Sequence, residues 1–213
     1  MATRLRITEI FHSIQGESTR AGWPCTFLRL TGCNLRCSWC DSEYTFKGGT
    51  WMEVDEIMAR VEAEPARLVE ITGGEPLLQP SVAVLARRLL ARGYEVLCET
   101  SGERDISILP EGVARIMDLK APSSGESERT DWANLERLRP GDEIKIVVAD
   151  RADFDWALEQ LQRHDLLARA PLSMSPAWGR SADGLADWIL ATGLPIRLNL
   201  QLHKILWGEV PGR

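Results

Sequence analysis

Seven short apolar runs punctuate the chain: Phe27–Leu30, Leu68–Ile71, Glu95–Cys98, Arg115–Leu119, Glu143–Val148, Leu172–Met174 and Ile196–Leu200. Between most of them lie apolar stripes at helical spacing, namely Val54, Ile57, Met58 and Val61, then Val82, Leu85, Ala86, Leu89 and Leu90 up to Gly93. Phe154, Ala157, Leu158 and Leu161 form a third stripe, and Leu185, Trp188 and Ile189 a last one closed by Gly193. Trp132, Leu135 and Leu138 predict a short helix begun by Asp131. Strands alternating with helices pair in parallel through right-handed crossovers. The seven runs of this alternating pattern, in 213 residues, fall short of the eight strands and roughly 250 residues of a closed barrel. The chain is therefore expected to form one α/β domain over residues 1–213, an incomplete, open (β/α) barrel. In that geometry the loops after the strands converge on one face. The opening segment reads as a short strand, Ile7–Phe11, followed by a turn at Gly16.

The loop after the first run carries Cys33, Cys37 and Cys40 in a Cys-x3-Cys-x2-Cys pattern. Soft thiolates at this density select zinc, copper(I) or an iron–sulfur cluster over magnesium or calcium. A structural zinc site needs four protein ligands, and Cys25, Cys98 or His12 would have to supply the fourth. Cys25 and Cys98 sit in apolar runs, where a buried thiol is ordinary. A four-iron cluster on three cysteines instead leaves one iron open to an external ligand.

Composition narrows the function classes. A net charge of −6 without a Lys/Arg cluster gives no electrostatic footprint for nucleic acid. No signal pattern and no apolar run of spanning length argue for a membrane, so a cytoplasmic protein is expected. Five cysteines, three of them on one loop, fit a reducing compartment and a cofactor better than a disulfide framework.

Other strand ends carry polar groups. Thr72-Gly73-Gly74-Glu75-Pro76 follows a strand directly, where paired glycines let backbone approach a ligand and Glu75 offers an acceptor; alone it would read as a strand-to-helix turn. Glu99-Thr100-Ser101-Gly102 and Asp118-Leu119-Lys120 stand at equivalent places. Arg29 is a cation inside an apolar run just before the cysteine loop. It either snorkels to solvent or points along the strand towards an anion at the loop.

The cysteine spacing, with Trp39 before the last cysteine, resembles the cluster loop of radical S-adenosylmethionine (SAM) enzymes, and Gly73-Gly74-Glu75 resembles their SAM-binding turn. Within that superfamily the chain resembles the 7-carboxy-7-deazaguanine synthases. The matching features are Ile14-Gln15-Gly16-Glu17, Arg29, Trp39-Cys40-Asp41-Ser42, Thr72 to Pro76, Glu99 to Gly102, Asp118-Leu119-Lys120 with Pro122-Ser123-Ser124, and Gln201-Leu202-His203. Many relatives carry Thr at the Ser42 position and Ser-Pro-Lys in place of Asp118-Leu119-Lys120.

The resemblance implies a lyase of queuosine and deazapurine biosynthesis, in which 6-carboxy-5,6,7,8-tetrahydropterin contracts to 7-carboxy-7-deazaguanine with loss of ammonia. It implies a 4Fe-4S cluster on Cys33, Cys37 and Cys40, SAM, and Mg²⁺ on the Ser42 hydroxyl, as suits a hard cation. Cofactor contacts are implied for Trp39, Cys40, Asp41, Gly73, Gly74, Glu75, Gly102, Asp118, Leu119 and Lys120. Substrate contacts are implied for Ile14, Gln15, Gly16, Glu17, Arg29, Thr100, Gln201 and His203, with Arg29 suited to the carboxylate. The implied partners are the small pterin, an electron donor such as flavodoxin, and a second copy in a homodimer. Two alternatives share the cysteine loop. A radical SAM activase making a glycyl radical on a partner protein would not need Gln15, Glu17 or Arg29, and an electron-transfer or zinc module would not bind SAM.

Overall fold

The computed structural model describes residues 3–210 and Gly212. Among the described residues nine strands form one sheet: β1 (Arg4–Ile14), β2 (Pro24–Leu30), β3 (Thr50–Glu53), β4 (Leu68–Gly73), β5 (Glu95–Thr100), β6 (Val113–Leu119), β7 (Glu143–Val148), β8 (Leu172–Pro176) and β9 (Ile196–Leu198). Their spatial order is β3-β1-β2-β4-β5-β6-β7-β8-β9, which leaves β3 and β9 as edges and the barrel open. From β2 through β4 to β9 every pairing is parallel, as the crossovers require. The beginning departs from the sequence expectation. β1 is long and antiparallel to β2, and β3, which lacks a clear apolar alternation, adds antiparallel to β1.

Helices α1 (Val54–Glu62), α2 (Val82–Ala91), α3 (Arg151–His164), α4 (Leu166–Arg169), α5 (Ala182–Thr192) and α6 (Leu202–Trp207) complete the fold. The segment Trp132–Arg137 is a 3-10 helix with Asp131 accepting from the Ala133 amide. The last strand ends at Leu198 rather than Leu200.

Alternation along the strands gives the sheet two chemically different faces. One set of side chains, including Leu28, Leu30, Val69, Ile71, Val96, Cys98, Ile144 and Ile146, packs against the helix stripes at Ile57, Leu85, Leu89, Phe154 and Leu185 in the main core. Each such buried aliphatic contributes about 1.5–3 kcal/mol. The other face has a small apolar floor of Cys25, Phe27, Leu68, Leu97 and Ile116. Further along the same strands it turns polar, with Arg29, Glu70, Thr72, Glu99, Asp118 and Lys145. Parallel strands normally bury both faces in apolar contacts; this polar interior marks where a ligand fits.

The sheet curls enough for its ends to meet through the loop after β1. The Thr19 amide donates to Glu143 of β7 at 2.9 Å, Arg197 of β9 donates to the Ser18 carbonyl at 3.1 Å, and the Leu202 amide of α6 donates to the Gly16 carbonyl at 3.0 Å. No helix among the described residues is long and apolar enough to cross a membrane.

Candidate active site

The strand ends surround a cavity of about 810 Å³. Cys33, Cys37 and Cys40 line it, whereas Cys25, Cys98 and His12 do not. Cys25 belongs to the apolar floor and Cys98 to the main core, so neither offers a fourth ligand to zinc. Among the described residues no three His, Cys, Asp or Glu side chains close on a point that would hold a single ion. Three thiols sharing one cavity suit a cluster whose cysteines bind separate irons. Burial raises all three thiols above their ordinary range, Cys37 to about 11, so bound iron must displace protons.

The cysteine loop is held on both sides. Gly73 has φ +130°, and an added Cβ would lie 2.2 Å from the Leu30 carbonyl oxygen; at Gly74 it would lie 2.2 Å from that of Gly32. The Glu75 amide donates to the Gly32 carbonyl at 2.8 Å. The double glycine therefore lets the end of β4 touch the root of the cysteine loop. On the far side the Ser38 amide donates to the Ser124 carbonyl at 3.0 Å, and Trp39 Nε1 donates to Ser123 Oγ at 3.0 Å. Lys120, which pairs with Asp118 at 2.7 Å, also faces the Trp39 ring at 5.4 Å.

Glu75, alone of the Gly73-Gly74-Glu75 motif, does not line the cavity. It lies behind the wall, fully buried, and accepts from Thr100 Oγ1, the Ser101 amide and hydroxyl, and the Leu77 amide, all at 2.7–3.0 Å. Its carboxylate ties the turn after β4 to the turn after β5. Gly102, Leu119 and Ile14 likewise do not line the cavity, whereas Trp39, Asp41, Ser42, Gly73, Gly74, Asp118 and Lys120 do.

The residues expected to meet substrate come together from distant parts of the chain. Gln15, Gly16, Glu17, Arg29, Thr100, Gln201 and His203 all line the cavity. Arg29 does not snorkel: its side chain is only 18% exposed, and its Nε donates to Glu9 Oε1 at 2.7 Å. Tyr44 donates to the same oxygen at 2.9 Å. Burial alone would lower the guanidinium's pKa, but Tyr44 and Glu9 outweigh it. Gly16 packs so closely on His203 that a Cβ would lie 2.0 Å from Nδ1. Burial and the neighbouring Lys204 charge push His203 down to about 4, so its imidazole is neutral at pH 7. Ser42 donates to Asp41 Oδ1 at 3.0 Å.

Sequence reasoning passed over Glu70 and Lys145. Lys145 Nζ lies 2.8 Å from both Glu17 Oε2 and Glu99 Oε1, and Thr72 Oγ1 donates to the other Glu99 oxygen at 3.1 Å. Gln15 is clamped, its Oε1 accepting from the Glu17 amide at 2.6 Å and its Nε2 donating to Glu70 Oε2. Burial and then the Glu99 and Glu17 charges hold the Glu70 carboxyl well above the usual carboxylate range. The signal was present in both strands: a charged residue inside a run that parallel pairing should bury.

Residues 28–123 match the model of the Radical SAM superfamily. A 7-carboxy-7-deazaguanine synthase of Koribacter versatilis is 49% identical over 219 residues, covering 95% of this chain and 97% of that protein. One from Chlorobaculum tepidum is 45% identical over 211 residues, with 95% and 94% covered. Among solved structures, QueE from Escherichia coli superposes with a TM-score of 0.74 over 94% of this chain and 95% of that one, at 22% identity.

Proposed function

The chain belongs to the 7-carboxy-7-deazaguanine synthase family of radical SAM enzymes, and from that premise we propose that its cavity carries out the ring contraction of 6-carboxy-5,6,7,8-tetrahydropterin with release of ammonia. The observation that carries this reading is that the three cysteines, the Gly73-Gly74 turn and the Arg29 guanidinium line one cavity at the strand ends.

The donor set fits a 4Fe-4S cluster with SAM on its open iron, held by Cys33, Cys37 and Cys40 and flanked by Trp39, Gly73, Gly74 and the Asp118–Lys120 pair. When bound, these groups supply hydrogen-atom abstraction from a substrate carbon and its return; the protein supplies orientation and exclusion of water. Arg29, held at Nε by Glu9, keeps its two Nη groups without a protein hydrogen bond among the described residues, a fork suited to the substrate carboxylate. The Ser42 hydroxyl beside Asp41 suits Mg²⁺, completed by substrate carboxylate and water. Gln15, Gly16, Glu17, Thr100, Gln201 and neutral His203 bind the heterocycle, and Lys145 holds Glu17 and Glu99 in place. We assign the whole chain to one cytoplasmic domain, reduced by a flavodoxin-type donor and assembled as a homodimer.

The test is anaerobic reconstitution followed by turnover of the purified pterin, with the rate titrated against Mg²⁺ for wild type and Ser42→Ala. With a chemical reductant in place of the flavodoxin-type donor, turnover without any protein partner is expected, with a blunted Mg²⁺ response in the variant. SAM cleavage without pterin turnover would overturn the substrate, and identical titration curves would remove Ser42 from the metal site.

A further inference from the structure

Glu70 projects from the middle of β4 onto the cavity floor, where an apolar residue would serve the fold better. Its neighbours in register are Phe27 on β2 and Leu97 on β5, and both belong to the apolar floor. The residue is 3% exposed yet lines the cavity. A carboxyl buried there costs stability unless its oxygens find partners.

The surrounding carboxylates are already occupied. Glu17 and Glu99 both lie at 2.8 Å from Lys145, and Glu99 takes a second hydrogen bond from Thr72. Glu70 accepts from Gln15 at Oε2 only. Its Oε1 has no hydrogen-bond partner among the described residues, and it is not among the polar atoms sealed from the cavity and solvent.

Position along the strand adds a second constraint. Arg29 stands in register with Thr72 and Phe27 with Glu70, so Glu70 is two residues deeper than Arg29 on the same face. That offset is about 6–7 Å along the strand. A flat bicyclic ring with a carboxylate at one end and an amino-substituted edge at the other likewise separates its two polar ends, the carboxylate suiting the Arg29 fork.

We propose that Glu70 is a specificity-determining residue that recognises the amino-substituted edge of the heterocycle, its Oε1 accepting a hydrogen bond from the 2-amino group. The assignment rests on the pterin reading above. Gln15 acts with it, holding the carboxyl in the orientation that leaves Oε1 free. A carbonyl oxygen at the same ring position would face Oε1 acceptor to acceptor, so the site discriminates by the group at C2. The neutral carboxyl retains its accepting carbonyl, and the ionised form accepts more strongly.

The experiment compares 6-carboxypterin with 6-carboxylumazine, which carries a carbonyl in place of the amino group. Dissociation constants are measured by fluorescence on the reconstituted, SAM-loaded enzyme. Wild type is expected to favour the pterin by about a hundredfold or more, since a site built to pair an N–H rejects the analogue lacking it. In Glu70→Ala the preference should fall below about tenfold with iron content and SAM binding intact, and Glu70→Gln, whose single carbonyl oxygen cannot accept from both Gln15 and the 2-amino group, should also lose most of it. Should the alanine variant fail to take up iron, the space-filling Glu70→Leu is read instead, with the same loss expected. Wild-type discrimination in an iron-replete Ala or Leu variant, or no discrimination in wild type, overturns the assignment of Glu70 alone. Failure of wild type to bind either heterocycle removes the pterin reading, and this assignment with it.

Discussion

Lys204 Nζ lies 2.5 Å from Asp41 Oδ2, an ion pair between residues 163 apart in the chain that pins α6 to the loop carrying the cysteines. Gln201 donates to the same oxygen at 3.0 Å, and the Lys204 ammonium also faces the Trp178 ring at 4.6 Å. Burial would raise the Asp41 carboxyl, but the Lys204 hydrogen bond and charge hold it well below the usual carboxylate range. The pair thus couples the cofactor end of the cavity to the segment that carries Gln201 and His203.

Lys204→Met is expected to raise the KM for the pterin several-fold with little change in cluster content. Its cost in stability should stay below about 1 kcal/mol, because Asp41 is 37% exposed and the pair is screened by solvent. Steady-state kinetics beside a denaturant titration checks this; an unchanged KM would show that His203 holds its place through Gly16 alone.

Single Cys→Ala changes at Cys33, Cys37 or Cys40 should abolish iron binding and SAM cleavage. Cys25→Ala and Cys98→Ala should leave both intact and cost about 1 kcal/mol of stability, as small core truncations do. Iron and sulfide counting on the purified variants is the measurement, and loss of the cluster in Cys98→Ala would mean that the ligand set is wrong.

Arg29→Ala should keep the cluster and SAM binding while weakening pterin binding by about 2–5 kcal/mol, the cost of leaving a buried carboxylate without its partner. The change also strands Glu9, so Arg29→Ala with Glu9→Gln should recover part of the protein's stability but not the affinity. Calorimetric titration with 6-carboxypterin distinguishes the two effects.

Glu70 should make stability fall as pH rises. Its folded pKa is raised above the ordinary 4.5 by burial and by Glu99 and Glu17, against the opposing charges of Lys145 and Arg29. Above that ordinary value the unfolded chain releases the proton while the folded protein keeps it, so the unfolded state gains until the folded pKa is passed. Glu70→Gln should therefore melt above wild type by a margin that is larger at pH 8 than at pH 5. An equal margin at both would show that Glu70 is already ionised in the fold.

The parallel core from β2 to β9 was legible in the sequence because strand and helix periodicities and the turn residues between them are local properties. The cysteine loop was legible because three soft ligands within eight residues admit few chemistries. β3 escaped because Trp51 and its neighbours lie on a half-exposed edge with little apolar alternation, and β1 was under-read because polar residues interrupt it. Glu75 was visible as a motif residue, but only its four hydrogen-bond donors, three of them from Thr100 and Ser101 at the end of β5, showed that it braces two turns from behind the cavity wall. Which polar residues meet was decided by the curl of the sheet, through contacts between residues more than a hundred positions apart. Thr19 reaches Glu143, Glu17 shares Lys145 with Glu99, and His203 fills the space that Gly16 leaves empty. No local pattern encodes such pairings, since they depend on register and curvature summed over the whole sheet. The sequence by itself therefore determined the kind of chemistry and the strand ends that carry it; the tertiary structure decided that Glu70 and Lys145, charged residues within apolar strands that sequence reasoning passed over, lie on the floor of the same cavity.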